Sequence, residues 1–307
     1  MKISFVIPCY RSQKTLAGVI REVQETMATL NGYTYEIILV NDASPDDTFS
    51  EIRRLCKEND NIIGIDMAKN FGQHSALMAG FHEVSGEVVV CLDDDGQTPA
   101  NEVGKLLDKI NEGYDVVYAE YSNKKHSKFR NLGSHLNSVM TEHLLEKPKD
   151  LYISSYFAAR KFIIDEILRY DNAYPYVTGL VLRTTRKICN VEVRHREREV
   201  GESGYSLSKL LGLWLNGFTS FSVKPLRLAT FSGLFAAFLG LLFIIVTVIR
   251  RLVDQSIPIG WSSTISIILL MGGMILFVLG IIGEYIGRIY ICINHSPQYV
   301  IREKIKH

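Results

Sequence analysis

The sequence predicts an α/β protein, a mainly parallel sheet covered by helices, followed by a C-terminal two-helix transmembrane hairpin. Three observations predict it. Short apolar runs alternate with helix-periodic stretches from Lys2 to Leu92, at the pace of βαβ units. Two apolar segments, Ala229–Ile249 and Ser263–Gly283, contain no charged side chain; each is close to the ~20 residues that cross a ~30 Å hydrocarbon core. Finally, the run Val88–Leu92 ends abruptly in Asp93-Asp94-Asp95-Gly96-Gln97, at the kind of strand end where open parallel sheets hold their ligands.

The elements follow in order. Lys2–Ile7 reads as a strand broken by Pro8-Cys9-Tyr10. Ser12 is a candidate N-cap for a helix whose apolar positions Leu16, Val19, Ile20 and Val23 recur at helical spacing. Tyr35–Val40 is a second strand, Asn41–Asp47 a turn and Thr48–Cys56 a helix. Ile62–Met67 is a third strand, His74–Glu83 a helix and Val88–Leu92 a fourth strand, apolar throughout and so buried on both faces. Ser206–Phe221 is helix-prone with Leu207, Leu210, Leu211, Trp214, Leu215 and Phe218 on one face; that pattern suits a helix in the headgroup plane and equally one packed on the core. Pro225 ends it. The chain therefore divides into a globular domain 1–205, an interfacial region 206–228, a hairpin 229–289 with spans at 229–249 and 263–283, and a tail 290–307.

Composition narrows the function. A net charge of +1 over 307 residues carries no field that would attract nucleic acid. The five cysteines, Cys9, Cys56, Cys91, Cys189 and Cys292, show neither CxxC nor Cys/His ligand spacing, as reduced thiols of a cytosol-facing domain would. Ile3–Ile7 is too short for a signal-peptide core. Lys224, Arg227 and Arg288 flank the spans on the side of the globular domain, whereas Arg250 and Arg251 lie in the loop between them. The lack of an export signal decides for a multi-pass protein of the inner (cytoplasmic) membrane with its globular domain in the cytoplasm.

Three adjacent carboxylates repel one another, so folding alone does not favour them. A hard divalent cation relieves that repulsion, and Mg²⁺ or Mn²⁺ commonly binds one or two carboxylates plus substrate phosphates. Period-2 geometry puts Asp93 and Asp95 on one side and Asp94 on the other. The competing reading is a solvated acidic turn. Neither a GxGxxG fingerprint nor a Walker loop is present, so a nucleotide here would be held by carboxylates and metal.

The segments Phe5-Val6-Ile7-Pro8-Cys9-Tyr10, Val40-Asn41-Asp42-Ala43-Ser44-Pro45-Asp46-Asp47-Thr48, Lys69-Asn70-Phe71-Gly72-Gln73, Asp93-Asp94-Asp95-Gly96-Gln97 and Arg198-Glu199-Val200-Gly201-Glu202-Ser203-Gly204-Tyr205 resemble, in that order, the donor-site motifs of family 2 glycosyltransferases. With two C-terminal spans the chain is similar to the polyprenyl-phosphate branch of that family, which includes dolichyl-phosphate mannose synthase and bactoprenol glucosyltransferase. The resemblance implies a GT-A fold and inverting transfer of one sugar from a nucleotide donor, a UDP-sugar, to an undecaprenyl-type polyprenyl phosphate, for cell-envelope glycan modification. It implies Pro8 and Tyr10 in the base pocket, Asp42 on the base or ribose, and Lys69, Gln73 and Asp94 in the donor site. Asp93 would hold the ribose or pyrophosphate, while Asp95 and Gln97, with Asp93 beside them, would ligate Mg²⁺ or Mn²⁺. Tyr10 as ordinary packing and Asp42 as a turn stabiliser remain open. Asp46 and Asp47 read better as an N-cap and first-turn charge than as ligands.

The nucleophile would be a lipid phosphate oxygen, already ionised near neutral pH and in need of cations more than of a general base. Lys124 to Arg130 supplies them. Arg130 and Ser134, four apart on a helix, can share one phosphate, a spacing that matches the acceptor-phosphate pair of the dolichyl-phosphate mannose synthases; Lys128 joins them. A basic stripe on anionic headgroups is the alternative for the lysines. Arg198 and Lys209 would meet the donor diphosphate across the loop that Gly201 and Gly204 let close. Catalysis would thus rest on Asp95, Arg130 and Arg198.

Two positions depart from the family. Ala119-Glu120-Tyr121 stands where many relatives carry an acceptor arginine, and Ser154 falls where an acidic residue often precedes a Phe-Arg pair. Two other functions compete. A processive polysaccharide synthase lacks support because QxxRW is absent and two spans are too few for a channel. A non-catalytic membrane scaffold is disfavoured by the intact acidic set. Gly272-Gly273 offers small residues through which copies of the hairpin would self-associate into a homo-oligomer.

Overall fold

The computed structural model describes residues 1–122, 147–148, 150–194, 260–294 and 296–306, with scattered positions between 230 and 249. Residues 1–206 and 295–307 form one compact unit and 207–294 a second.

The first unit is built on an eight-stranded sheet of order β7-β5-β6-β4-β1-β2-β3-β8. Its centre comprises β1 (Lys2–Cys9), β2 (Thr34–Asn41), β3 (Ile62–Met67) and β4 (Val88–Cys91). These four run parallel as β4-β1-β2-β3, as the alternating pattern predicts. The helices between them are α1 (Leu16–Thr29), α2 (Thr48–Glu58) and α3 (Gln73–Phe81). Leu16, Val19, Ile20 and Val23 are all buried on α1, so the apolar stripe faces the sheet. Ser12 does not cap α1; the helix begins three residues later, with Thr15 before Leu16. The missing N–H of Pro8 is tolerated because β4 pairs with β1 only as far as Val6 opposite Cys91, so Pro8 lies beyond that ladder.

Two features aim α3 at the strand ends. Gly72 has φ 90°, a left-handed turn that brings the chain sharply into the helix. At Gly80 a Cβ would lie 2.5 Å from Val6 Cγ1, so only glycine lets α3 approach β1 this closely.

The remaining strands are added out of sequence order. After a 3₁₀ turn (Ala100–Glu102) and α4 (Val103–Asn111), β5 (Val116–Ser122) does not join β4 directly. β6 (Phe157–Arg160) inserts between them, antiparallel to both. α5 (Lys161–Ile167) and α6 (Val177–Thr184) follow, and β7 (Ile188–Arg194) pairs parallel with β5 at one edge. At the other edge β8 (Ile301–Ile305) pairs antiparallel with β3. Residues read from the sequence as part of a tail thus complete the sheet. Ile-Arg-Glu-Lys-Ile has three charged residues in five, and that pattern identifies a strand only once a neighbour is known.

The second unit contains α7 (Trp261–Ile293), 33 residues and so about 50 Å long at 1.5 Å per residue. Its Leu270–Ile293 stretch has a mean hydropathy of 1.9 and is long and apolar enough to cross a membrane. The helix runs on through Glu284 and Arg288, ten residues beyond the span boundary read at 283, because nothing in that sequence breaks it. Leu276 and Phe277 are 71% and 65% exposed, as lipid-facing side chains are. The described positions between 230 and 249 are helical.

At the opposite end of the central strands from the acidic turn, Glu36 is a buried anchor. Ser4 Oγ (2.6 Å) and the Ser85 N–H (2.6 Å) donate to one carboxylate oxygen, and Ser85 Oγ (2.8 Å) and Lys2 Nζ (2.7 Å) to the other. Burial opposes ionisation, but these donors outweigh it and hold Glu36 at about 2 against an ordinary 4.5. A depressed carboxyl pKa stabilises the fold above the unfolded value and loses that effect as pH falls through the folded one. Glu36→Gln should therefore cost about 2 kcal/mol at pH 7 and lower the melting temperature by roughly 4–8 °C. The gap from wild type should close as pH falls from 4.5 to about 2, read by thermal melts across that range.

Candidate active site

The carboxyl ends of β1, β2, β3 and β4 converge on the acidic turn. β4 stops at Cys91, so Asp93, Asp94 and Asp95 lie in the turn beyond it. Asp93 Oδ1 accepts a hydrogen bond from Gln73 Nε2 at 3.1 Å, and Asp93 Oδ2 accepts a short one from Ser155 Oγ. Asp94 faces the other way, accepting the Tyr10 N–H at 2.9 Å. Asp95 Oδ1 accepts the Gln97 N–H at 3.0 Å. The alternation read from the sequence is therefore present between Asp93 and Asp94.

Burial, and then the charges of Asp95 and Asp94, push the Asp93 carboxyl up to about 6 against the hydrogen bonds from Ser155 and Gln73. Asp94 is also raised, mainly by burial. Among the described residues no three carboxylate, thiol or imidazole side chains converge as a closed metal site. What is present is an open, crowded set of carboxylates. That set fits a hard cation whose other ligands come from substrate phosphates.

The loops at the ends of β2 and β3 are tied to each other. Asp42 is buried, and its two oxygens accept the N–H groups of Phe71 (2.7 Å) and Gly72 (2.9 Å). Its carboxylate thus fixes the Lys69–Gln73 loop rather than its own turn, a role the sequence reading did not include. Lys69 Nζ lies 4.8 Å from the Phe71 ring centre. Tyr10 is 45% exposed beside Arg11, whose guanidinium stacks on its ring. Arg11 and Ala43 both adopt positive φ, 60° and 48°, and the Arg11 N–H donates to Ser44 Oγ. Strained non-glycine backbone at two facing turns is characteristic of a binding site. Asp46 accepts bonds from Thr48 N–H and Oγ1 just ahead of α2, but the N-cap position is Asp47, without a side-chain cap bond, and not Asp46 as the sequence suggests.

Sequence reasoning missed Ser155. It singled out Ser154, but Ser154 Oγ points into the backbone, toward the carbonyls of Ala119 and Tyr156, both at 2.8 Å. The register explains the exchange. Cys91 pairs with Phe157 in the antiparallel β4–β6 ladder, so two residues further out Asp93 meets Ser155. Asn190 of β7 holds that loop, with Oδ1 accepting the Tyr152 N–H and Nδ2 donating to the Tyr152 and Tyr118 carbonyls. Tyr121 also borders the turn; burial and the Asp93 charge raise its phenol to about 12. His74, next to Gln73, packs edge-on to Tyr176 at 5.1 Å and is held neutral by burial, its pKa lowered to about 4. Only the folded register reveals Ser155, whereas its presence in Ser154-Ser155 was the available signal. Lys128, Arg130, Ser134, Arg198 and Lys209 lie outside the described residues.

Asn190→Ala removes the two bonds that pin Tyr152 and a third to the Tyr118 carbonyl of β5. It should cost about 2 kcal/mol, lowering the melting temperature by roughly 4–8 °C, and should speed hydrogen exchange at the Tyr152 amide.

Residues 4–168 match the family described as glycosyl transferase family 2, and residues 224–289 match the GtrB C-terminal hairpin. The undecaprenyl-phosphate 4-deoxy-4-formamido-L-arabinose transferase of Klebsiella pneumoniae strain 342 is 33% identical over 308 residues, covering 99% of this chain and 94% of that protein. The transferase of the same description from Proteus mirabilis strain HI4320 is 33% identical over 307 residues, with the same coverage. Glucosyl-3-phosphoglycerate synthase from Mycobacterium tuberculosis, solved with Mn²⁺, UDP-glucose and phosphoglyceric acid, superposes with a TM-score of 0.51 at 19% identity over 68% of this chain and 74% of that one. Mannosyl-3-phosphoglycerate synthase from Rubrobacter xylanophilus gives 0.50 at 16% identity over 70% and 71%. The fold is GT-A, and the chain belongs to glycosyl transferase family 2, as a glycosyltransferase that carries the GtrB C-terminal hairpin.

Proposed function

We propose that this protein transfers one sugar, with inversion, from a nucleotide-sugar donor of the UDP-sugar type to an undecaprenyl-type polyprenyl phosphate. The observation that carries the reading is the Asp93–Asp95 turn, held between Gln73 and Ser155 at the strand ends of a chain that also has a membrane-length apolar helix. Relatives named for transfer to undecaprenyl phosphate, matched over nearly their whole length, support the acceptor. A likeness in fold to an enzyme solved with Mn²⁺ and UDP-glucose supports the donor and the cation.

In this reading Tyr10, with Pro8 behind it, stacks on the base, and Asp42 shapes the pocket wall by fixing the Phe71 and Gly72 amides. Gln73 and Ser155 hold Asp93 beside the donor, Asp94 steers the Tyr10 backbone, and Lys69 faces the donor phosphates. Asp95, Gln97 and Asp93 would hold Mg²⁺ or Mn²⁺, which when bound supplies Lewis-acid stabilisation of the departing nucleoside diphosphate. Arg198 and Lys209 would neutralise the same leaving group, and Arg130, Ser134 and Lys128 would position the lipid phosphate. That phosphate is ionised near pH 7, so no side chain has to remove a proton. Ser154, bonded to two carbonyls, is placed for structure and not for base catalysis. The catalytic unit faces the cytoplasm of the inner membrane and feeds a lipid-linked sugar into cell-envelope glycan modification, with hairpins of neighbouring copies packing through small residues.

The test uses the full chain in detergent with undecaprenyl phosphate, Mg²⁺ or Mn²⁺, and a panel of radiolabelled nucleotide sugars. One donor should yield a lipid-linked product, abolished by chelation and restored by added metal. Asp95→Ala should reduce the rate by about 100-fold or more, and Ser155→Ala by about 10-fold through loss of a charge-assisted hydrogen bond. Ser154→Ala should retain the rate within about twofold while melting lower by a few degrees, the cost of about 1 kcal/mol of backbone bonding. A lack of product with every donor, or an Asp95→Ala rate equal to wild type, sinks the reading.

A further inference from the structure

The edge strand β8 does more than close the sheet. Its pairing with β3 follows a constant register from Gly64 with Ile305 to Asp66 with Glu303, then shifts so that Met67 pairs with Ile301. Arg302 is the extra residue in that shift. A bulge leaves one residue out of the ladder and re-aims its side chain. Here the guanidinium crosses to β3, where Nη1 donates to Asp66 Oδ2 at 3.1 Å and Nη2 to the Ala68 carbonyl at 2.7 Å. The Ala68 N–H in turn donates to the Val300 carbonyl at 2.8 Å.

Asp66 is buried, and its second oxygen accepts Asn41 Nδ2 at 2.7 Å. Asn41, also buried, accepts the Ser44 N–H on its own side-chain oxygen. Asn41 immediately precedes Asp42, and Ala68 begins the loop whose Phe71 and Gly72 amides Asp42 holds. One guanidinium therefore ties the end of β3 directly, and the end of β2 through Asp66. These are the two walls of the pocket assigned above to the nucleotide.

We propose that Arg302 is a positioning residue for the donor nucleotide, acting through Asp66 and Asn41, so that the C-terminal strand is part of the donor site. The inference rests on the reading of the 41–44 and 68–73 loops as the nucleotide pocket. Two other ion pairs hold β8, Arg53 with Glu303 and Lys304 with Glu83, and neither bonds the Asp66 or Asn41 side chain. They separate a positioning role from simple docking of the strand.

The experiment measures binding of UDP, GDP and other nucleoside diphosphates, each with Mn²⁺, to the full chain in detergent by calorimetry, alongside donor KM, kcat and melting temperature. Arg302→Ala should weaken the nucleotide that wild type binds by about 10-fold, the size of one lost charge-assisted interaction, and raise donor KM to match while kcat changes by less than about threefold. Arg302→Lys should recover part of the affinity. Asp66→Asn, which keeps the side-chain shape, should weaken binding in the same direction and covers the case in which Arg302→Ala does not fold. Arg53→Ala and Lys304→Ala should bind within about twofold of wild type even where their melting temperatures fall. Wild-type affinity in Arg302→Ala and Asp66→Asn, or equal weakening in Arg53→Ala and Lys304→Ala, overturns the proposal and leaves the donor pocket standing. Failure of wild type to bind any nucleoside diphosphate overturns both.

Discussion

The carboxylate of Asp93 sits half-buried beside two more carboxylates, and burial first, then that crowding, raises its proton affinity. A polypeptide that only had to fold would separate these charges or leave them in water. This one surrounds Asp93 with neutral donors, Gln73 from α3 and Ser155 from the loop before β6. Neutral donors orient a carboxylate without cancelling its charge. Much of the fold's geometry serves to hold those two donors where they are.

Each donor depends on packing far from it in sequence. Gln73 is aimed by the close approach of α3 to β1, possible because Gly80 leaves no Cβ to meet Val6. Ser155 is delivered by an antiparallel strand wedged between β4 and β5, and Asn190 of β7 fixes its loop. The opposite end of the central strands is anchored by Glu36, whose charge is satisfied by four donors. The contrast is instructive. The Glu36 carboxylate has a cation and its hydrogen bonds built in, whereas Asp93 accepts from two neutral side chains, Gln73 and Ser155.

The same logic extends along the sheet to its edge. Asp42 and Asp66, both buried, organise loops through backbone amides and side-chain bonds, and Arg302 arrives from the end of the chain to complete the second of them. Asp42 and Asp66 thus fix the loops at the ends of β2 and β3, whereas Asp93, Asp94 and Asp95 crowd the turn beyond β4. A membrane-length helix precedes β8 in the chain, so the segment that completes the sheet is also the one that follows the lipid-facing part of the protein.

Much was legible in the residues alone. The four central strands, the helices between them, the acidic turn and the apolar C-terminal segments follow from local periodicity, since burial on two faces, one stripe or a lipid exterior each imposes its own spacing. Motif order carried the family. What the sequence could not decide was which of Ser154 and Ser155 faces Asp93, that Asp42 bonds a loop, that residues 301–305 form a strand, and that Arg302 leaves the ladder to reach Asp66. These depend on register between segments far apart in the chain. A one-residue slip in pairing turns every side chain to the opposite face, and the pairing is set by the whole sheet's packing, so only the tertiary structure could decide them.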